Sequence, residues 1–296
     1  MFATYVKLVL SMLIWGGTWV AGRIVAAEME PFSAAFLRFL FAGVFLLAVT
    51  FRVERRFPLP ERGQLVPLAL LGLTGIFGYN AFFFSALQTV EAGRASLIIA
   101  SIPACMALLA CLFMGERLSP SRLAGIPLSL FGVAVILSDF HPERLFTGGV
   151  GRGELFLFGC VASWTAYSLL GKRFMTTMSP LFAVTWSCLM GCALLFPFAL
   201  GEGLAARVAT VSPAVWGNLV FLGVMATGLA FCWYYAAIKA IGASRAGVFI
   251  NLVPVAAIGL GVLILGEKVT LSLAFGGAMV MTGVFMTNRP QRNRSH

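Results

Sequence analysis

The sequence predicts an all-α polytopic membrane protein: ten transmembrane helices, arranged as two inverted five-helix repeats. Three observations carry this. The first is composition. Of 296 residues, 60% are hydrophobic and 11% charged, and the mean hydropathy is +0.95. Soluble domains carry about 25% charged residues. The second is a duplication. Residues 71–119 recur without a gap at 222–270, an offset of 151. Leu71-Gly72 matches Leu222-Gly223, Arg94-Ala95 matches Arg245-Ala246, Pro103 matches Pro254, and Gly115-Glu116 matches Gly266-Glu267. The third is the spacing of apolar stretches, each near the ~20 residues that carry a helix across a bilayer.

Those stretches run over 7–25, 32–51, 65–87, 93–113, 121–138, 153–173, 180–200, 214–238, 244–265 and 271–287. Helices are required, because open strands leave backbone groups unpaired in lipid. The first stretch, with Lys7 ahead of an apolar core, has the outline of a signal peptide. It is instead the counterpart of the sixth: at an offset of 149, Trp15 matches Trp164, Gly22 matches Gly171, and Pro31 matches Pro180. The repeats are expected to span 1–139 and 153–288.

Orientation follows from basic residues, which favour the cytoplasmic side. With the N-terminus inside, inner segments hold 14 Lys and Arg, outer ends hold 6, and Arg38 lies within the second span. Both termini are therefore expected in the cytoplasm of a multi-pass protein of the cell (inner) membrane. The net charge of +10 is spread along the loops rather than gathered in a patch, so no nucleic-acid partner is expected. Five spans per repeat is an odd number, so the repeats must insert with opposite orientation. Inverted repeats are a signature of secondary transporters, whose substrate sits near the midplane between the halves.

With these features the chain resembles the EamA-type branch of the drug/metabolite transporter superfamily. The resemblance rests on the ten spans in two repeats and on Pro103 followed by Gly115-Glu116-Arg117. It rests too on Pro254 followed by Gly266-Glu267-Lys268, on the glycines Gly125, Gly132, Gly276, Gly277 and Gly283, and on Arg38. Nearly the whole chain is covered. The resemblance implies a metabolite exporter; an amino-acid exporter of bacterial inner membranes is among the members similar to this chain.

Matched polar and aromatic positions nominate the binding residues. Trp15, Thr18, Trp19 and Gly22 share one helical face; Trp164, Tyr167, Ser168 and Gly171 share the aligned one. Tyr79, Asn80 and Phe83 in the third span align with Ala230, Phe231 and Tyr234 in the eighth. A membrane-embedded Asn is costly without a partner and belongs in a wet interior. Ser101 precedes Pro103 and Asn251 precedes Pro254; each proline removes a backbone donor and bends its helix. The expected substrate-binding residues are Trp15, Thr18, Tyr79, Asn80, Phe83, Ser101, Trp164, Tyr167, Tyr234 and Asn251, with Pro103 and Pro254 as hinges. Arg38 either binds a substrate carboxylate or reaches outward to Glu28 or Glu30 and holds its helix; the structural role is favoured. The small pairs Gly125/Ser129 and Ser272/Gly276 serve helix packing or a homodimer face.

No Asp, Glu or His falls in the middle third of any span. That disfavours a protonated carboxylate in the pathway and favours small, net-neutral cargo, neutral or aromatic amino acids first. Lipophilic cations are the alternative, with nucleotide-sugar-type exchange behind them. Enzyme motifs such as HExxH and a Walker A loop are absent at membrane depth, so no catalytic role is expected. The six cysteines lie inside apolar stretches with no CxxC, so neither metal nor cofactor is expected.

Overall fold

The structure, a computed structural model, describes residues 2–55, 59–114, 119–145, 150–174, 178–241, 246 and 249–288. These residues form helices and connecting loops, with no strand among them. We number the ten main helices α1 (Phe2–Glu28), α2 (Pro31–Glu54), α3 (Arg62–Leu87), α4 (92–114), α5 (Pro120–Ser138), α6 (Arg152–Phe174), α7 (Pro180–Gly201), α8 (213–241), α9 (Leu252–Leu265) and α10 (Leu271–Thr287). Helices α1 to α8 are each long and apolar enough to cross a membrane, whereas α9 and α10 are shorter apolar helices. The expected ninth span, 244–265, lies partly outside the described residues, as do Gly115-Glu116-Arg117, Arg245 and the side chain of Tyr235.

The helix starts are written in local chemistry. Proline opens α2, α5, α7 and α8, where its missing N–H costs nothing and its fixed φ suits the first turn. Ser119, Ser179, Ser212 and Thr270 each accept a hydrogen bond from a first-turn amide of α5, α7, α8 and α10. Gly266, at φ +68°, closes α9 in the left-handed region.

Two devices interrupt the helices. In α4 the chain turns at 100–101, directly before Pro103; ahead of α9 it turns at 250–251, directly before Pro254. Neither proline can donate to the preceding turn, so the helix is broken rather than merely bent. In addition, α3 and α8 open into π-helix at Gly72–Gly78 and Phe221–Leu229, positions that match at the 151-residue offset. Wide turns of this kind expose carbonyls and re-aim side chains.

Packing between the halves is reciprocal. Helix α1 packs on α8 and α9, while α6 packs on α3 and α4; α2 packs on α8 as α7 packs on α3. Helices α5 and α10 pair along their length and run antiparallel: a Cβ on Gly125 would lie 2.6 Å from the Gly283 carbonyl, and one on Gly132 2.6 Å from that of Gly276. Ser129 and Ser272 are buried on the same faces. These small residues are spent on contact within the chain, so they do not form the homodimer face that the sequence left open. Large apolar side chains such as Val44, Phe131, Leu263 and Phe275 point outward instead, as lipid-facing groups should.

Candidate functional site

A cavity of about 640 Å³ lies between the two halves, well within the range of small-molecule sites. Helices α1 and α6 supply facing walls. From α1 come Trp15, Thr18 and Trp19; from α6 come Trp164, Tyr167, Ser168 and Gly171. Ring contacts pack these walls. Trp15 meets Phe231 at 5.0 Å and Tyr234 at 5.2 Å between centroids; Trp164 meets Tyr79 at 5.1 Å and Tyr167 at 5.3 Å.

The broken helices meet the same space. Ala100, Pro103 and Met106 of α4 line it, as do Ile250, Asn251 and Pro254 around the break before α9. Asn288, just past α10, also borders it. Of the twelve residues nominated from the sequence, ten border the cavity: Trp15, Thr18, Tyr79, Asn80, Trp164, Tyr167, Tyr234, Asn251, Pro103 and Pro254. Phe83 and Ser101 do not. Phe83 is 2% exposed, packed behind Trp19 and close to Gly22. Ser101 is 4% exposed and donates to the carbonyl of Ile98, so its hydroxyl serves the helix break.

The polar groups of the cavity divide into spent and free. Trp15 Nε1 donates to the Ala226 carbonyl in the π-helical part of α8 at 3.0 Å. Thr18 and Ser168 hydroxyls turn back to the carbonyls of Trp15 and Trp164. Asn80 Nδ2 donates to the Ile76 carbonyl at 2.9 Å inside the π-helical part of α3, and its Oδ1 accepts from Arg38 Nη1 at 3.0 Å. Among the described residues, the indole N–H of Trp164 and the side-chain amide of Asn251 have no protein partner.

Arg38 departs from the favoured sequence reading. It does not reach outward. Glu28 accepts from the Ser212 amide and hydroxyl, and Glu30 pairs with Arg207. Arg38 instead borders the cavity, its guanidinium 5.3 Å from the Phe39 ring centre and 5.6 Å from that of Phe83. Its Nε is buried without a partner. The signal was present in the sequence: a charge in mid-span with no acid within a helical turn of it.

At one end of the bundle, carboxylates of one half hold helix starts of the other. Glu267 accepts from the Ala92 and Gly93 amides at 2.6 and 3.0 Å, at the first turn of α4, with Arg23 Nε 3.8 Å away. Arg23 itself donates to the carbonyls of Leu87 and Val90. Glu202 accepts from the Phe32 and Ser33 amides at the start of α2. Arg94 pairs with Glu154 at 3.0 Å. A carboxylate on first-turn amides gains charge-assisted bonds and a favourable helix dipole together.

An apolar helical bundle around an aromatic cavity, penetrated by two broken helices, defines a membrane transporter. The chain belongs to the EamA-like transporter family, whose profile matches residues 3–138 and again 151–289. Among similar proteins, an uncharacterized transporter of Archaeoglobus fulgidus is 32% identical, aligned over 97% of this chain and 98% of its own. A probable amino-acid metabolite efflux pump of Escherichia coli is 27% identical over 94% and 92%. A probable terminal-alkyne amino-acid exporter of Streptantibioticus cattleyicolor is 28% identical over 95% and 92%. A solved structure 24% identical shares the fold, with a TM-score of 0.64 over 96% of both chains.

Proposed function

We propose that this chain is a secondary transporter that exports small metabolites, neutral or aromatic amino acids foremost, by alternating access at the central cavity. The observation that carries the reading is that cavity: it is walled by Trp15 and Tyr234 on one side and by Trp164 and Tyr79 on the other, at the seam of the two halves. The reciprocal packing and the two family matches support two five-helix repeats, 1–139 and 153–288, inserted with opposite orientation. The basic-residue bias supports an orientation with both termini in the cytoplasm.

In that orientation the clasps of Glu267, Glu202 and Glu28 lie on the outer face. Gly171, Ile250 and Asn288, on the cavity wall, lie toward the inner one. The arrangement is that of an inward-facing carrier with its outer side closed. Aromatic walls accept an apolar side chain, while amides and backbone groups satisfy the polar end. Two relatives whose names mention amino-acid efflux or export support the cargo class. A cationic cargo would meet Arg38 and, among the described lining residues, no carboxylate.

Counterflow in proteoliposomes tests this. Vesicles preloaded with unlabelled L-phenylalanine or L-leucine should accumulate the labelled amino acid transiently and saturably. Competition by a quaternary ammonium ion, with none by any common amino acid, would overturn the cargo class.

A further inference from the structure

We propose that Arg38 is the docking point for a carboxylate, so that the cavity selects solutes bearing one; this rests on the reading of the cavity as the transport site. An arginine in the interior of a membrane bundle is costly, and such residues pair with a counter-charge or face a pathway. Arg38 has no protein counter-charge among the described residues. The described carboxylates nearest in role are committed elsewhere: Glu28 to Ser212, Glu154 to Arg94, Glu202 to the start of α2, and Glu267 to the start of α4.

Among the described residues, the one hydrogen-bond partner of the guanidinium is the neutral Asn80. That partner is itself fixed. The Asn80 amide nitrogen is held by the Ile76 carbonyl, which leaves its oxygen to receive Arg38. The π-helical turn of α3 thus orients Asn80, and Asn80 orients the guanidinium. Nη1 is taken and Nε is sealed. Nη2 has no protein acceptor among the described residues and is not sealed, on a side chain that borders the cavity. A planar guanidinium with one edge occupied keeps donors for a carboxylate oxygen, and arginine is suited to that ion above lysine by its geometry. A purely structural arginine would be expected to have its charge answered by the protein; this one leaves it to whatever enters. Two donors without partners, Trp164 and Asn251, lie on the same cavity and serve the rest of a zwitterionic solute.

The test is binding to the purified full chain in detergent, by intrinsic tryptophan fluorescence and thermal shift. The probes are L-phenylalanine and L-leucine, phenylacetate, and the two amino-acid amides, which keep size and ammonium but lose the carboxylate. Expected is at least tenfold tighter binding of the acids than of the amides. Arg38→Gln should bring that ratio to within about twofold, while Arg38→Lys keeps part of it. Should Arg38→Gln fail to fold, Asn80→Asp answers the charge internally and should remove the same preference in a folded protein. Equal binding of acid and amide to the wild type, or a ratio that survives both Arg38→Gln and Asn80→Asp, overturns the inference while leaving the transporter reading intact. If none of these probes binds and a quaternary ammonium ion does, the cargo reading falls and this inference with it.

Discussion

Trp15 Nε1 donates to the carbonyl of Ala226 at 3.0 Å, joining α1 of the first half to the π-helical turn of α8 in the second. Its aligned counterpart Trp164 makes no such bond among the described residues; the equivalent turn of α3 is occupied by Asn80. One tryptophan is a strut and the other a free donor on the cavity wall. Trp15→Phe should therefore lower stability by about 1 kcal/mol, the net worth of one hydrogen bond. Trp164→Phe should leave melting in detergent nearly unchanged and weaken the half-saturation of counterflow several-fold. The reverse ranking would contradict this division.

Glu267 spans two first-turn amides and lies near Arg23, with only 9% of its side chain exposed. The Glu30–Arg207 pair is 42% and 48% exposed. Charge-assisted bonds to a partly buried carboxylate are worth about 1.5–3 kcal/mol, exposed pairs about 0.2–1 kcal/mol. Glu267→Gln should lower the melting temperature more than Glu30→Gln does. On the alternating-access account it should also favour opening of the outer face. Outside-added maleimide should then label Thr18→Cys faster in the Glu267→Gln background than in the parent.

The α5–α10 seam leaves no space for side chains. Gly132→Val or Gly283→Val meets backbone of the facing helix and should cost about 1–3 kcal/mol by overpacking. Gly217→Ala, where a Cβ meets nothing within 4 Å, should be neutral or slightly stabilising. Thermal unfolding of the three variants orders them directly.

No acidic residue or histidine is among the described residues bordering the cavity. An imposed pH gradient should therefore leave the initial counterflow rate within about twofold, since membrane proton relays rely on Asp, Glu or His. Net accumulation driven by the gradient, lost on neutralising one carboxylate, would show the opposite.

Much of this geometry was legible in the sequence. The offset that matched Trp15 to Trp164 placed two walls of one cavity, and Pro103 and Pro254 marked the two helix breaks. What escaped notice depended on three-dimensional neighbours. Phe83 and Ser101 were among the nominated residues, yet Phe83 packs behind Trp19 and the Ser101 hydroxyl donates to the Ile98 carbonyl. Within the π-helical turn Phe221–Leu229 the Ala226 carbonyl accepts from Trp15, 211 residues away in sequence, a contact that no local periodicity encodes. Arg38 was assigned to Glu28 or Glu30 by proximity in sequence; those carboxylates find Ser212 and Arg207 from the other half. The glycine and serine stripes identified close contact without saying whether the partner was α10 or a second copy.

The central claim is that cargo passes through this cavity, and Ala100→Trp tests it most directly. Ala100 borders the cavity at the break in α4, and an indole there would occupy much of the substrate's space. The account predicts a protein that melts within a few degrees of the parent but shows no counterflow of L-phenylalanine or L-leucine in proteoliposomes. Counterflow at the parental rate in a well-folded Ala100→Trp protein would contradict it.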